Sequence, residues 1–211
     1  MSTMMPDLEG YFRSLVPGGD ALLQELEQEA AREAIPIVGP LVGELLFVLA
    51  RATGAARILE IGAATGYSGI FLGRAAAASG GRVTTLELDP RLAARARSNF
   101  QRAGLTDVVE VREGEALALM AAMSETFDLV FLDIDKESYL PALSHCRRLL
   151  RAGGLLVADN VGFSGAADFN REILTHPAWR AVPLLAFLPR HSPERDGLLL
   201  AVRLAMPGKL W

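Results

Sequence analysis

Four short segments of the chain gather side chains from which chemistry could be built: Glu60-Ile61-Gly62-Ala63-Ala64-Thr65-Gly66-Tyr67-Ser68-Gly69, Leu86-Glu87-Leu88-Asp89-Pro90, Asp133-Ile134-Asp135-Lys136 and Asp159-Asn160. In the first, small residues at 62, 63, 64 and 66 let a ligand lie against the backbone, and the amides opening the next helix can meet a carboxylate. Ser68 adds a hydroxyl donor. The pattern is Gly-x-x-x-Gly-x-x-Gly, without the middle glycine of a dinucleotide fingerprint, so it suits a nucleoside lacking a pyrophosphate better than a nicotinamide cofactor. A tight strand-to-helix turn with no ligand would carry the same glycines. Glu87, with Leu88 beside it, ends a strand where an acid can accept hydrogen bonds from both ribose hydroxyls. Gly114-Glu115-Ala116 follows the next strand and would border an adenine, on a weak motif.

The acidic segments suggest a different chemistry. Adjacent parallel strands lie about 4.8 Å apart, so Asp133, Asp159 and Asn160, each just past a strand, can converge on one point. Two carboxylates and an amide suit Mg²⁺, which takes hard oxygen ligands and keeps positions open for water or substrate. Without a cation the carboxylates would repel, and one would hold a proton. Lys136 is the rival partner: an ion-pair network of Asp133, Asp135, Asp159 and Lys136 explains the spacing as well as a metal does. A catalytic carboxylate pair is the third alternative.

These segments need elements to position them. Arg57–Ile61, Arg82–Leu86, Val108–Arg112, Phe127–Leu132 and Gly154–Ala158 are β-rich runs separated by helical stretches, the pattern of a parallel sheet covered on both faces. The best-marked helix begins at Asp89-Pro90, turns Leu92, Ala96 and Phe100 inward, and stops at Gly104. Val182–Leu188 and Gly197–Leu204 are joined too closely for a crossover helix and should form an antiparallel hairpin. Before the sheet, Leu22, Leu23, Leu26, Ala30 and Ala34 recur at helical spacing after Asp20, and Leu41–Ala52 forms a second helix beyond Pro36, Gly39 and Pro40. The expected fold is α/β: a doubly wound, mostly parallel seven-stranded sheet with a C-terminal hairpin. It makes one domain over 1–211, with a helical extension at 1–55 and a binding core at 56–204.

Bulk properties narrow the partners. With 211 residues, 51% of them hydrophobic, the chain can fill one core, and its net charge of -4 offers no general attraction to nucleic acid or an anionic membrane. The single cysteine, Cys146, lies in an apolar-periodic stretch and reads as an inert thiol. Met1–Arg13 lacks the basic and apolar blocks of a signal peptide, and apolar runs such as Gly197–Val202 are too short to span a bilayer. A cytoplasmic protein is expected.

In order and spacing the four segments resemble the cation-dependent O-methyltransferases, the family that includes the catechol and plant caffeoyl-coenzyme A O-methyltransferases. The resemblance runs from about Ile35 to Leu204 and is most specific at Leu59-Glu60-Ile61-Gly62 with Thr65-Gly66-Tyr67-Ser68, at Phe131-Leu132-Asp133-Ile134-Asp135-Lys136 with Tyr139, at Ala158-Asp159-Asn160, and at Asp196-Gly197. It implies a Rossmann-like methyltransferase fold, S-adenosylmethionine as methyl donor, and a divalent cation, Mg²⁺, held by Asp133, Asp159 and Asn160. Lys136 matches the general base of the catechol branch, working beside Asp133. The resemblance assigns cofactor contacts to Val38, Glu60, Gly62, Ala63, Ser68, Glu87, Leu88, Gly114, Ala116 and Asp133. It implies a small hydroxylated aromatic acceptor, catechol-like or otherwise vicinally dihydroxylated, near Lys136, Asn160, Phe163, Arg190 and Asp196. A homodimer through the N-terminal helices is also implied.

Two features depart from the family pattern. Pro189-Arg190 stands where catechol enzymes carry a glutamate for the second hydroxyl, and Arg190 with His191 could instead meet a carboxylated acceptor. The segment from Asp159 to Phe169 is short where many relatives have a loop over the substrate. The alternatives are a metal-independent small-molecule methyltransferase and a non-catalytic relative that binds the cofactor.

Overall fold

Apolar side chains alternate along the central strands of the computed structural model, which describes residues 3–205, and this alternation sets the layers. Seven strands, β1 (Arg57–Ile61), β2 (Arg82–Glu87), β3 (Val109–Glu113), β4 (Phe127–Leu132), β5 (Leu150–Ala158), β6 (Trp179–Phe187) and β7 (Arg195–Arg203), form one sheet in the order β3-β2-β1-β4-β5-β7-β6. The first five run parallel; β7 pairs antiparallel with both β5 and β6. The doubly wound sheet and its C-terminal hairpin are as expected. The order reverses at β1, so a crevice opens beyond the carboxyl ends of β1 and β4.

Ile58, Leu129, Phe131 and Val157 point to one face, where α2 (Ala21–Glu33), α3 (Gly39–Ala52), α4 (Tyr67–Ala77) and α5 (Pro90–Arg102) cover them. Their neighbours Leu59, Val130, Leu132 and Leu156 point to the other, under α6 (Ala116–Ala122), α7 (Tyr139–Leu149) and α8 (Ala167–Thr175). Each fully buried large side chain of this kind is worth roughly 1.5–3 kcal/mol. Cys146 is buried in the second layer, where desolvation pushes its thiol up to about 12, consistent with an inert thiol.

Local signals explain most helix boundaries. The Asp20 carboxylate accepts from the Leu23 amide at 3.0 Å and caps α2; Asp89 accepts from the Arg91 amide at 2.7 Å and caps α5, with Pro90 in its first turn. Two expected inward positions differ. Ala34 is exposed, because it closes α2 in the left-handed region at φ 54°, and Ala93 takes the buried place expected of Leu92, which is only half-buried. Strand β5 also starts four residues earlier than expected, at Leu150 rather than Gly154. The short α1 (Leu8–Ser14) buries no residue, and Tyr11 and Phe12 stay on the surface. Among the described residues no helix is long and apolar enough to cross a membrane.

Candidate active site

The turn after β1 is built around Gly62. Its φ is 102°, and an added Cβ would lie 1.9 Å from the Asp133 carbonyl oxygen, so glycine is required where the ends of β1 and β4 meet. The Gly62 and Ala63 amides donate to the Leu86 carbonyl at 3.1 and 3.0 Å, and the turn enters α4 through Gly66 at φ 86°. Glu87 braces this turn: one carboxylate oxygen accepts from the Ala64 amide at 2.7 Å, the other from the Asp89 amide at 2.9 Å. The Asn99 side chain, a contact the sequence did not indicate, donates to the Thr65 carbonyl at 2.9 Å.

Beyond the turn lies a cavity of about 410 Å³. It is lined by Val38, Gly62, Ala63, Ser68, Glu87, Leu88, Gly114, Ala116 and Asp133, all expected at a cofactor, and by Lys136, Asp159 and Asn160. Glu60, also expected there, lies behind the wall. It is fully buried, with the Ser68 and Thr85 hydroxyls nearby but no group in good hydrogen-bonding geometry with either carboxylate oxygen among the described residues. Burial raises its pKa to about 7; the Ser68 and Thr85 hydroxyls pull against the rise, and the charges of Asp133 and Glu87 add to it.

At the acidic end, the Asp133 amide donates to the Ile61 carbonyl at 2.9 Å and the Asp159 amide to the Leu132 carbonyl at 3.1 Å, which ties both acids to the sheet edge. Lys136 Nζ donates to Asp133 Oδ1 and to the Ile134 carbonyl, each at 2.9 Å, and lies 5.1 Å from the Tyr139 ring centre. Burial holds the Asp133 carboxyl above its ordinary range; Lys136 lowers it and the neighbouring Asp159 raises it again. The Tyr139 hydroxyl donates to the Leu132 and Asp159 carbonyls at 3.2 and 2.9 Å, and desolvation raises its pKa well above normal.

Asp159 has a partner that spacing could not reveal. His191 Nε2 lies 2.8 Å from Asp159 Oδ2, and its Nδ1 lies 2.7 Å from the Pro193 carbonyl. Burial pulls the imidazole pKa down, but the Asp159 carboxylate outweighs it and the net shift is upward. Asn160, at φ 50°, donates through Nδ2 to Asp196 Oδ2 at 2.7 Å. That bond orients the amide, and Asn160 Oδ1 and Asp133 Oδ2 accept no hydrogen bond among the described residues.

The expected acceptor contacts divide. Lys136 and Asn160 line the cavity, whereas Phe163 and Asp196 border a separate cavity of about 660 Å³ and Arg190 borders a third of about 870 Å³. Asp196 is buried and stands behind Asn160, also accepting from the Gly162 amide at 3.1 Å, so it supports the site from outside the cavity. Phe163 is 46% exposed because the short 159–169 segment turns it outward.

The arrangement can hold a nucleoside-like ligand against the glycine turn, and beside it a polar group among two carboxylates, an amide and a lysine. The chain is similar to known proteins over most of its length. A family model described as O-methyltransferase matches residues 16–174. A catechol O-methyltransferase from Niastella koreensis is 43% identical over 216 residues, covering 93% of this chain and 93% of its own. An O-methyltransferase from Bacillus cereus, solved in complex with SAH, superposes with a TM-score of 0.83 at 34% identity, covering 93% of this chain and 96% of its own. The O-methyltransferase TomG from Streptomyces achromogenes, involved in tomaymycin synthesis and solved with SAM, gives a TM-score of 0.83 at 29% identity, covering 96% of this chain and all 100% of its own.

Proposed function

The chain belongs to the O-methyltransferase family and is an S-adenosylmethionine-dependent enzyme, and from that premise we propose that its acceptor is a catechol-like hydroxyl activated at a divalent cation. The observation that carries this reading is the donor set. Asp133 Oδ2 and Asn160 Oδ1 are free of hydrogen bonds among the described residues, in the cavity that Asp159 also lines. Among the described residues no three acidic, histidine or cysteine side chains are grouped to hold a metal, and the proposed site therefore relies on the Asn160 amide oxygen as its third donor. Burial, and after it the neighbouring Asp159 charge, disfavours ionised Asp133, and a cation held by these residues would favour the ionised form. Glu60 fits the methyl donor in the same way: it is a buried carboxyl with unpartnered oxygens behind Ser68, at the glycine turn.

S-adenosylmethionine supplies an electrophilic methyl and a divalent cation supplies Lewis acidity; the protein's own groups do the rest. Asp133, Asp159 and Asn160 fix the acceptor oxygens beside the glycine turn, and this proximity supplies a large part of the acceleration. Nζ of Lys136, 2.9 Å from Asp133 Oδ1, takes the hydroxyl proton once it has released its own and stands as the neutral amine. Tyr139 keeps Asp159 and the end of β4 in register through its two hydrogen bonds.

One observation favours the metal-independent alternative: both carboxylates already have a side-chain partner, Lys136 on Asp133 and the His191 imidazole on Asp159. Release of S-adenosylhomocysteine from S-adenosylmethionine and catechol separates the two readings. Turnover with Mg²⁺ that stops in chelator and returns with added Mg²⁺ supports the cation. Full turnover in chelator overturns it, and an absence of turnover across hydroxylated aromatics rejects the acceptor class.

A further inference from the structure

We propose that Arg190 recognises an anion on the acceptor: the reacting ring carries an acid-ended side chain that runs into the adjoining 870 Å³ cavity and meets the Arg190 guanidinium. This rests on the acceptor reading above and names its substrate class.

The two cavities are neighbours. Pro36, Ile37 and Ser192 stand in the walls of both. Of the three, Ser192 reaches the acceptor end, where its carbonyl accepts from Asn160 Nδ2 at 3.4 Å, while Pro36 and Ile37 lead into Val38. Leu88, Gly114 and Ala116, expected around the adenine, border the 410 Å³ cavity alone. The cavity beside Phe163 shares no lining residue with the reaction chamber. With the methyl donor bound, a substituent leaving the acceptor ring therefore finds the Arg190 cavity next.

Charge decides what that substituent is. The reaction chamber is lined by Asp133, Asp159 and Glu87, which disfavour an anion inside it. Among the described residues lining the second cavity, Arg190 carries the only positive charge and Glu27 the only negative one, whereas the reaction chamber sets Glu87, Glu115, Asp133, Asp135 and Asp159 against Lys136. The Arg190 backbone is fixed: φ is 68°, the amide donates to Glu194 Oε1 at 2.9 Å, and the carbonyl packs so closely on Gly39 that a Cβ there would lie 2.6 Å from it. The guanidinium spends one donor, Nη1, on Glu27 at 3.3 Å, and its remaining N–H groups are uncommitted among the described residues. Glu27 does not depend on that bond, since the Tyr67 hydroxyl donates to its other oxygen at 2.8 Å. A guanidinium with spare coplanar donors is built for a carboxylate.

Catechol, dihydrocaffeate and dopamine differ in side-chain charge and test the proposal. The wild-type enzyme should show a kcat/KM about tenfold or more higher for dihydrocaffeate than for dopamine, the worth of one charge-assisted contact. Arg190→Met should remove most of that preference, lowering dihydrocaffeate turnover far more than catechol turnover, and Arg190→Glu should reverse it. Calorimetric titration of dihydrocaffeate into protein saturated with S-adenosylhomocysteine reads the same contact without turnover, and should weaken about tenfold in Arg190→Met. Circular dichroism confirms that each variant is folded. Equal treatment of acid and amine by the wild type, or a preference that survives Arg190→Met, overturns the proposal. Arg190-dependent binding without methylation of any probe would reject the acceptor reaction and leave the anion contact standing.

Discussion

Glu60 is a buried carboxyl whose ionisation the fold opposes, and its pKa rises from 4.5 to about 7. A carboxyl with a raised folded-state pKa binds its proton more tightly when folded, so stability falls as pH climbs from the unfolded value through the folded one. Between about pH 4.5 and 7 the ligand-free protein should lose roughly 3 kcal/mol through this group. Urea unfolding near pH 5 and near pH 8 measures the loss, and Glu60→Gln should flatten it; an unchanged slope in the variant would assign the loss elsewhere. Lys136 is tested by kinetics. Lys136→Met should lower kcat by about a hundredfold or more while calorimetry still detects S-adenosylmethionine binding. An active Lys136→Met enzyme would remove the lysine from the proton transfer. Asp133, Lys136, Asp159 and Asn160 could all be named from the sequence, because each falls just past a strand. The partner of Asp159 could not: His191 lies 32 positions away, in a turn whose path no periodicity records.

At the level of elements, the crevice depends on how closely β1 and β4 end together. Gly62→Ala forces a side chain towards the Asp133 carbonyl and forbids an easy φ of 102°, so it should cost roughly 2–4 kcal/mol, read as a lower urea midpoint. A wild-type midpoint would mean that the turn can yield. Strands β1, β2 and β4 were legible because their β-rich runs end at turn residues. Strand β5 was not. Its pairing with β4 shifts from Phe127↔Leu150 to Leu129↔Leu155, and the irregularity takes in Gly153 at φ 75°. A glycine pair that reads as the turn before a strand is here an irregularity within one. The hairpin is recognisable from its tight connection, but neither the direction of its loop, which takes Arg190 to a separate cavity, nor the path of the 159–169 segment, which takes Phe163 away from the acceptor, is written in any periodicity.

Across the whole molecule, residues remote in sequence enclose one chamber. Arg13 pairs with Glu194 through two 2.7 Å hydrogen bonds, Arg195 pairs with Glu9, and Arg190 with Glu27, so α1 and α2 are tied to the β6–β7 loop near the acceptor end. These pairs are largely exposed and screened by salt, so they guide the loop more than they stabilise the fold. Stability should respond more strongly to the methyl donor. At a hundred times its Kd, S-adenosylmethionine should add about 2.7 kcal/mol to unfolding, seen as a raised Tm, whereas an unmoved Tm would mean that the cavity does not bind it. A cation held jointly by residues just past β4 and β5 would be read without any turnover by Mn²⁺ titration followed by electron paramagnetic resonance. The prediction is one bound Mn²⁺ per chain in the wild type, lost in Asp159→Ala and weakened about tenfold or more in Asn160→Ala. Failure of the wild type to bind Mn²⁺, or equal binding by wild type and Asp159→Ala, would contradict it.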